Sequence, residues 1–119
     1  MRVIKFRAWD KIRKFMITIF DSTTADEWFI PNVKEDYEVM QFTGIKDKNG
    51  VEIYEGDIVI DKIGNLLPMV VKWDDAGFRI FGKYNGENYV GYVGHTDRYG
   101  NNTCTVIGNI YENKELLNE

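Results

Sequence analysis

The sequence predicts a mostly β protein: an N-terminal β-hairpin segment followed by a small antiparallel barrel. Three observations carry this. Short runs of alternating or β-branched apolar residues recur along the chain, and no apolar run exceeds a few residues. Clusters rich in Gly, Asn and Asp separate these runs at close spacing. Aromatic residues make up 14% of the chain, which suits strands that pack large rings.

The first strand is Arg2-Val3-Ile4-Lys5-Phe6-Arg7-Ala8-Trp9, where basic and apolar residues interleave. A strand sends successive side chains to opposite faces, so Ile4, Phe6 and Ala8 share one face and Lys5, Arg7 and Trp9 the other. Asp10-Lys11-Ile12-Arg13-Lys14 turns the chain, and residues 15–20 return as the second strand. Asp21 to Thr24 opens a loop or caps a helical turn at 25–28. Pro31-Asn32 stops it, and residues 34–38 form a polar loop. Trp28 and Phe29 are expected in a satellite core. Residues 38–42 form a strand, with Met40 and Phe42 on one side.

The most informative stretch is Phe42 to Ile60, FTGIKDKNGVEIYEGDIVI. Asn49-Gly50 sits between two apolar runs, and both residue types tolerate the positive φ of a tight hairpin turn. A hairpin is expected with Asp47-Lys48-Asn49-Gly50 at a water-facing tip. Glu55-Gly56-Asp57 makes the next turn: Gly56 bends the chain, and the Asp57 carboxylate accepts backbone N–H groups. The adjacent carboxylates Glu55 and Asp57 are thereby read as turn chemistry rather than as an acid–base pair. Ile58-Val59-Ile60 follows as a strand.

Beyond it, residues 61–65 turn, Pro68 marks a strand entrance, and residues 69–73 form a strand. Asp74-Asp75-Ala76-Gly77 is a tight turn, and Phe78 to Phe81 is another strand, with Phe78 and Ile80 on one face. The stretch 82–102 reads as the least ordered part, rich in Tyr, Gly and Asn. Tyr84, Tyr89, Tyr92 and Tyr99 give it the composition of a binding loop. The competing reading puts Tyr89, Val90, Tyr92 and Val93 in a strand of the barrel. Residues 103–111 form the last strand, with Gly108 at a bulge or close approach, and one helical turn opens near Asn113.

Three segments, FRAWD (Phe6–Asp10), QFTGIKDKNGVEIYEGDIV (Gln41–Val59) and VIGNIYEN (Val106–Asn113), stand in an order and spacing that resemble the YopX family. These are small proteins of temperate phages and prophages in Gram-positive bacteria. The resemblance implies that the C-terminal part is an SH3-like small barrel. It implies no activity, and it brings no catalytic residues. The expected division is an N-terminal hairpin and variable loop over 1–51, an SH3-like barrel over 52–113 and a short tail over 114–119.

Composition narrows function. The single cysteine, Cys104, allows no intramolecular disulfide, and with one histidine, His95, it cannot build a usual zinc site. No metal or other cofactor is expected. Asp74-Asp75 with Asp57 or Asp97 lacks the ordered oxygen ligands of a calcium loop. His95, Asp97 and Cys104 do not make a nucleophile site without a positive field, so no catalytic residues are assigned and Cys104 is read as a small buried apolar group. The start MRVIKFRAWDK has no apolar signal core, and a cytoplasmic, non-membrane protein of the bacterial host is expected.

The net charge is −4, against unspecific binding to a nucleic-acid backbone, but it is uneven. Six cations face one acid up to Phe20, whereas ten acids face three cations from Asp21 to Asp57. Arg2, Lys5, Arg7, Trp9, Arg13 and Lys14 are therefore the candidate contacts for a partner. The leading expectation is a non-enzymatic module that binds a protein or a second copy, the basic strand of one meeting the acidic segment of another. The alternative is nucleic acid on the same basic hairpin; a further reading gives these cations no ligand and only the task of keeping an edge strand from pairing with other chains.

Overall fold

The computed structural model describes residues 5–19, 36–61, 67–74, 77–84, 86–94 and 96–117. Within them lie nine strands: β1 (Phe6–Asp10), β2 (Phe15–Ile19), β3 (Tyr37–Lys46), β4 (Glu52–Tyr54), β5 (Asp57–Asp61), β6 (Met69–Asp74), β7 (Gly77–Tyr84), β8 (Glu87–Tyr92) and β9 (Cys104–Asn109). A 3₁₀ turn, Lys114–Leu117, follows. The fold is mostly β, as the alternating patterns predict. No helix among the described residues is long and apolar enough to cross a membrane.

Two antiparallel sheets form. The first has the order β2-β1-β3-β4 and the second β8-β7-β6-β5-β9. The expected N-terminal hairpin is present, with Ala8 opposite Ile17 and Trp9 opposite Met16. β1 also pairs with β3, Ala8 opposite Val39, so the basic strand is central in its sheet rather than at an edge. Ala8 is fully buried there among Phe6, Tyr37 and Val39.

β4 hydrogen-bonds to β3 across the position where the sequence places the unit boundary. Its Ile53 leaves that sheet and enters the core of the other, with Val59, Met69, Val71, Phe78, Ile80, Val93 and Cys104. A fully buried side chain of this kind contributes about 1.5–3 kcal/mol, and here it fastens the two sheets together. The Gly56 corner adds backbone links. Its φ is +86°, its N–H donates to the Val71 carbonyl at 2.8 Å, and its carbonyl accepts from Ile110 N–H at 2.9 Å.

The central hairpin differs from the expected tight turn. Of its four tip residues only Gly50 has a positive φ, +84°. Asn49 does not, so this is no two-residue turn with both central residues left-handed. The loop spans 47–51 and is organised by Asp47. Its backbone N–H donates to the Val51 carbonyl at 2.7 Å, and its Oδ1 accepts from Asn49 and Val51 N–H at 2.8 and 2.9 Å. Lys48, Asn49 and Gly50 face water as expected, but Asp47 is only 5% exposed. Its Oδ2 accepts the Val106 N–H of β9 at 2.9 Å, and that long-range bond explains its burial.

The stretch 82–102 is more regular than its composition suggests. β7 runs through Tyr84, and β8 pairs with it from Arg79–Tyr92 to Tyr84–Glu87. At the other end of the sheet, Ile58 opposes Gly108 and Val59 opposes Val106, leaving Ile107 as the bulged residue. A Cβ on Gly108 would stand 2.6 Å from Asn113 Oδ1, so the close approach expected there occurs, while the bulge falls one residue earlier, at Ile107. The expectations for Trp28, Phe29, the Pro31 break, the 61–65 turn beyond Asp61 and the centre of the 74–77 turn lie outside the described residues.

Candidate functional site

Arg7 of β1 and Lys5 just before it point into the joint between the sheets. Lys5 Nζ is paired with the Glu52 carboxylate. Arg7 Nη2 donates to Asp57 Oδ1 at 2.7 Å and to the Glu55 carbonyl at 3.4 Å. Its guanidinium lies 4.7 Å over the Tyr54 ring. Lys11 pairs with Glu38 at 3.0 Å. Trp9 is 7% exposed and stacks on Tyr111, centroids 5.6 Å apart and planes 17° from parallel. All three acids belong to the acidic segment, so part of the charge asymmetry of the sequence is met inside one chain. Arg13 and Lys14 stay exposed in the β1–β2 turn, and Arg2 lies outside the described residues.

Asp57 Oδ2 accepts the Tyr54 N–H at 2.7 Å, as the turn reading expects. Burial pushes the Asp57 carboxyl above its ordinary value, opposed by the Arg7 charge and the Tyr54 N–H. Burial also raises the Tyr54 hydroxyl, helped by the Glu52 charge. The joint is thus a desolvated electrostatic clamp with its carboxylate already saturated by donors.

Cys104 is fully buried in the main core. Burial first, then the charges of Asp61 and Asp47, push its thiol up to about 12. At neutral pH it holds its proton and is a poor nucleophile. His95 lies outside the described residues, and Asp97 is committed to its own loop. Among the described residues no group of three metal-ligating side chains converges.

A different face carries the exposed chemistry. Register places Lys72 opposite Arg79 and Arg79 opposite Tyr92, one row across β6, β7 and β8. Val70, Phe81 and Val90 form the next row, in which Val90 is exposed, Phe81 half-buried and Val70 buried. Strand alternation puts this face away from the core residues Met69, Val71 and Ile80. Lys72 Nζ lies 5.7 Å from the Phe81 ring centre and the Arg79 guanidinium 6.0 Å from that of Tyr92. Tyr92 is 59% exposed and Val90 56%. Trp73, 56% exposed, packs edge-on against Phe78 at 4.9 Å.

Tyr92 also lines a polar groove of about 450 Å³, with Lys46, Lys48, Thr96, Asn101 and Asn102. Two loops of the same design flank it. Asp97 Oδ1 accepts from Tyr99 and Asn101 N–H at 2.8 and 3.1 Å, and Gly100 takes φ +81°. This repeats the Asp47 loop, four residues from Asp to the closing N–H in each. Asn102 bridges them, its Nδ2 donating to the carbonyls of Lys46 and Val93 at 3.1 and 3.2 Å.

The tyrosines expected as a binding loop are therefore divided. Tyr92 and Tyr99 are exposed at the groove and its rim, Tyr89 is half-buried and packs against the core, and the Tyr84 side chain lies outside the described residues. Reading by composition missed Lys72, Arg79 and Phe81. Their signal was positional: once Phe78 and Ile80 are assigned inward, Arg79 and Phe81 must point outward.

The sequence profile described as YopX protein matches residues 5–118. Among solved structures the chain is similar to protein EF1440 from Enterococcus faecalis, seen in a crystal structure. The TM-score is 0.52 and the identity 26%, over 98% of this chain and 99% of that one. No curated protein matches the chain. The profile match runs from Lys5 at the inter-sheet joint, through both sheets and past the last 3₁₀ turn, and on that extent the chain belongs to the YopX family.

Proposed function

We propose that this protein is a non-enzymatic accessory module of a temperate phage or prophage. It acts in the cytoplasm of the bacterial host, and it binds a macromolecular partner through its five-stranded sheet, the part read as an SH3-like barrel. The carrying observation is how the side chains are distributed. The cations Lys5 and Arg7 and the ring of Trp9 are engaged in the joint between the sheets. The Cys104 thiol is buried in the core. What faces outward in one continuous area is the Lys72–Arg79–Tyr92 row and the groove beside it.

Self-association by the basic strand of one copy on the acidic segment of another would have to break pairs already made within each copy. A contact on the outward face of β6–β8 requires no such rearrangement. The test is affinity capture of the tagged chain from host cells, with Lys72→Glu/Tyr92→Ala compared with the unchanged chain. A partner lost with this double substitution supports the reading. Identical recovery from both proteins, or a substrate turned over by the purified chain, contradicts it.

A further inference from the structure

We propose that the outward face of β6–β8, continued by the groove beside Tyr92, binds single-stranded nucleic acid. This rests on the binding-module reading and names its ligand. The face alternates charge and ring. Lys72 lies over Phe81 and Arg79 over Tyr92. At the groove's rim Arg98 lies 6.0 Å from the centre of the Tyr99 ring. Each pair offers a flat surface for a base and a cation for the neighbouring phosphate, the combination that sequence-tolerant single-strand binding uses.

Position strengthens the argument. Lys72, Arg79 and Tyr92 stand in one cross-strand row, and the Val70–Phe81–Val90 row follows two residues along, about 7 Å away. Tyr92 belongs to both surfaces, so the track passes from the sheet face to Lys46 and Lys48 without a break. Lys46, Lys48, Lys72 and Arg79 make no ion pair among the described residues, unlike Lys5, Arg7 and Lys11. The acids that border the track are Asp74, at the end of β6, Glu87, at the start of β8, and at the groove Asp47 and Asp97, whose carboxylates accept backbone N–H groups.

A protein partner fits this chemistry less well, because lysine is depleted where proteins bury surface against each other. A duplex fits less well too. Its bases are stacked away from the rings, and the described residues include no α-helix to enter a major groove. The net charge of −4 repels a polyanion at long range, but salt screens that beyond about 10 Å at 0.1 M. The local cations then decide.

The experiment is fluorescence anisotropy of the full chain with labelled oligothymidylate and oligouridylate of about 16 nucleotides, and with a duplex of equal length, at several salt concentrations. Binding to the single strands, tighter than to the duplex and weakening as salt rises, is expected. Tyr92→Ala should lower affinity about tenfold by removing a stacking platform. Lys72→Gln should reduce the slope of log affinity against log salt by about 0.7, one phosphate contact. Unchanged melting temperatures show that both variants fold.

The proposal is overturned if no oligonucleotide binds at low salt up to about 100 μM. It is also overturned if Arg13→Gln, in the N-terminal turn, costs as much as Lys72→Gln. Face-dependent capture of a protein that survives nuclease treatment, with no oligonucleotide bound, would overturn this ligand while leaving the binding module standing.

Discussion

Arg7 and Asp57, fifty residues apart, meet at 2.7 Å, and the second Asp57 oxygen holds the Tyr54 N–H at the same distance. One carboxylate thereby ties β1 of the first sheet to the β4–β5 corner that opens the second. Its carboxyl is raised by burial and held back by Arg7. The stabilising effect of its proton is full below the ordinary value of 3.8 and is lost as pH rises through the higher folded value. Arg7→Met removes the principal opposing charge and raises that folded value further. The variant should lose about 3–5 kcal/mol near pH 7, with the gap to the unchanged protein narrowing as pH falls toward the carboxylate range. Urea titrations at neutral and acid pH check this; a gap that is constant or widens toward acid refutes it.

The two Asp loops should respond unequally to the same substitution. Asp47→Ala strips three N–H groups of their acceptor, including that of Val106 across the molecule. A loss of about 3 kcal/mol is expected, since three partly buried bonds to one carboxylate are lost together. Asp97→Ala breaks two bonds exposed to water, and about 1 kcal/mol is expected. Equal losses in chemical denaturation would remove the distinction drawn between a loop that joins strands and one that only closes itself.

Cys104 should resist a thiol reagent at pH 8 in the folded protein and react fully once the chain is unfolded in denaturant. The cause is double: the residue is fully buried, and its thiol is raised to about 12. A rapid native-state reaction would show that the core around Val59, Met69 and Cys104 opens easily.

Lys14 is the described non-glycine residue with a positive φ, 62°. It ends a turn in which Asp10 Oδ1 accepts from Ile12 and Arg13 N–H at 3.0 and 2.9 Å. Lys14→Gly should relieve left-handed strain in an exposed position and raise stability by up to about 1 kcal/mol. A thermal melt showing destabilisation beyond that amount would mean that the lysine side chain contributes more than its backbone costs.

Much of the strand order was legible because alternation and turn chemistry are local. FRAWD, the Gly56–Asp57 corner and Gly108 fell where their residue types demand. The Asp47 loop was misjudged because Asn49-Gly50 is a strong local turn signal. The deciding partner, Val106, is 59 residues away in sequence. β8 stood as one of two readings, because Gly91 and Asn88 are poor strand formers that are carried by pairing with β7. The candidate site suffered the same limit. Charge density along the chain pointed to β1, but Glu38, Glu52 and Asp57 neutralise it only after folding. Lys72 and Arg79 are unremarkable in sequence, and they join Tyr92 in one row only through the β6–β7–β8 register.

The claim that the basic first strand is engaged inside the molecule is tested most directly by a double-mutant cycle on Arg7→Met and Asp57→Asn, measured at low and high salt. The account predicts that the two losses are strongly non-additive, with a coupling of about 1.5–3 kcal/mol that survives high salt because the pair is shielded from solvent. Additive losses, within about 0.5 kcal/mol, would mean that Arg7 does not hold Asp57 and is available to a partner after all.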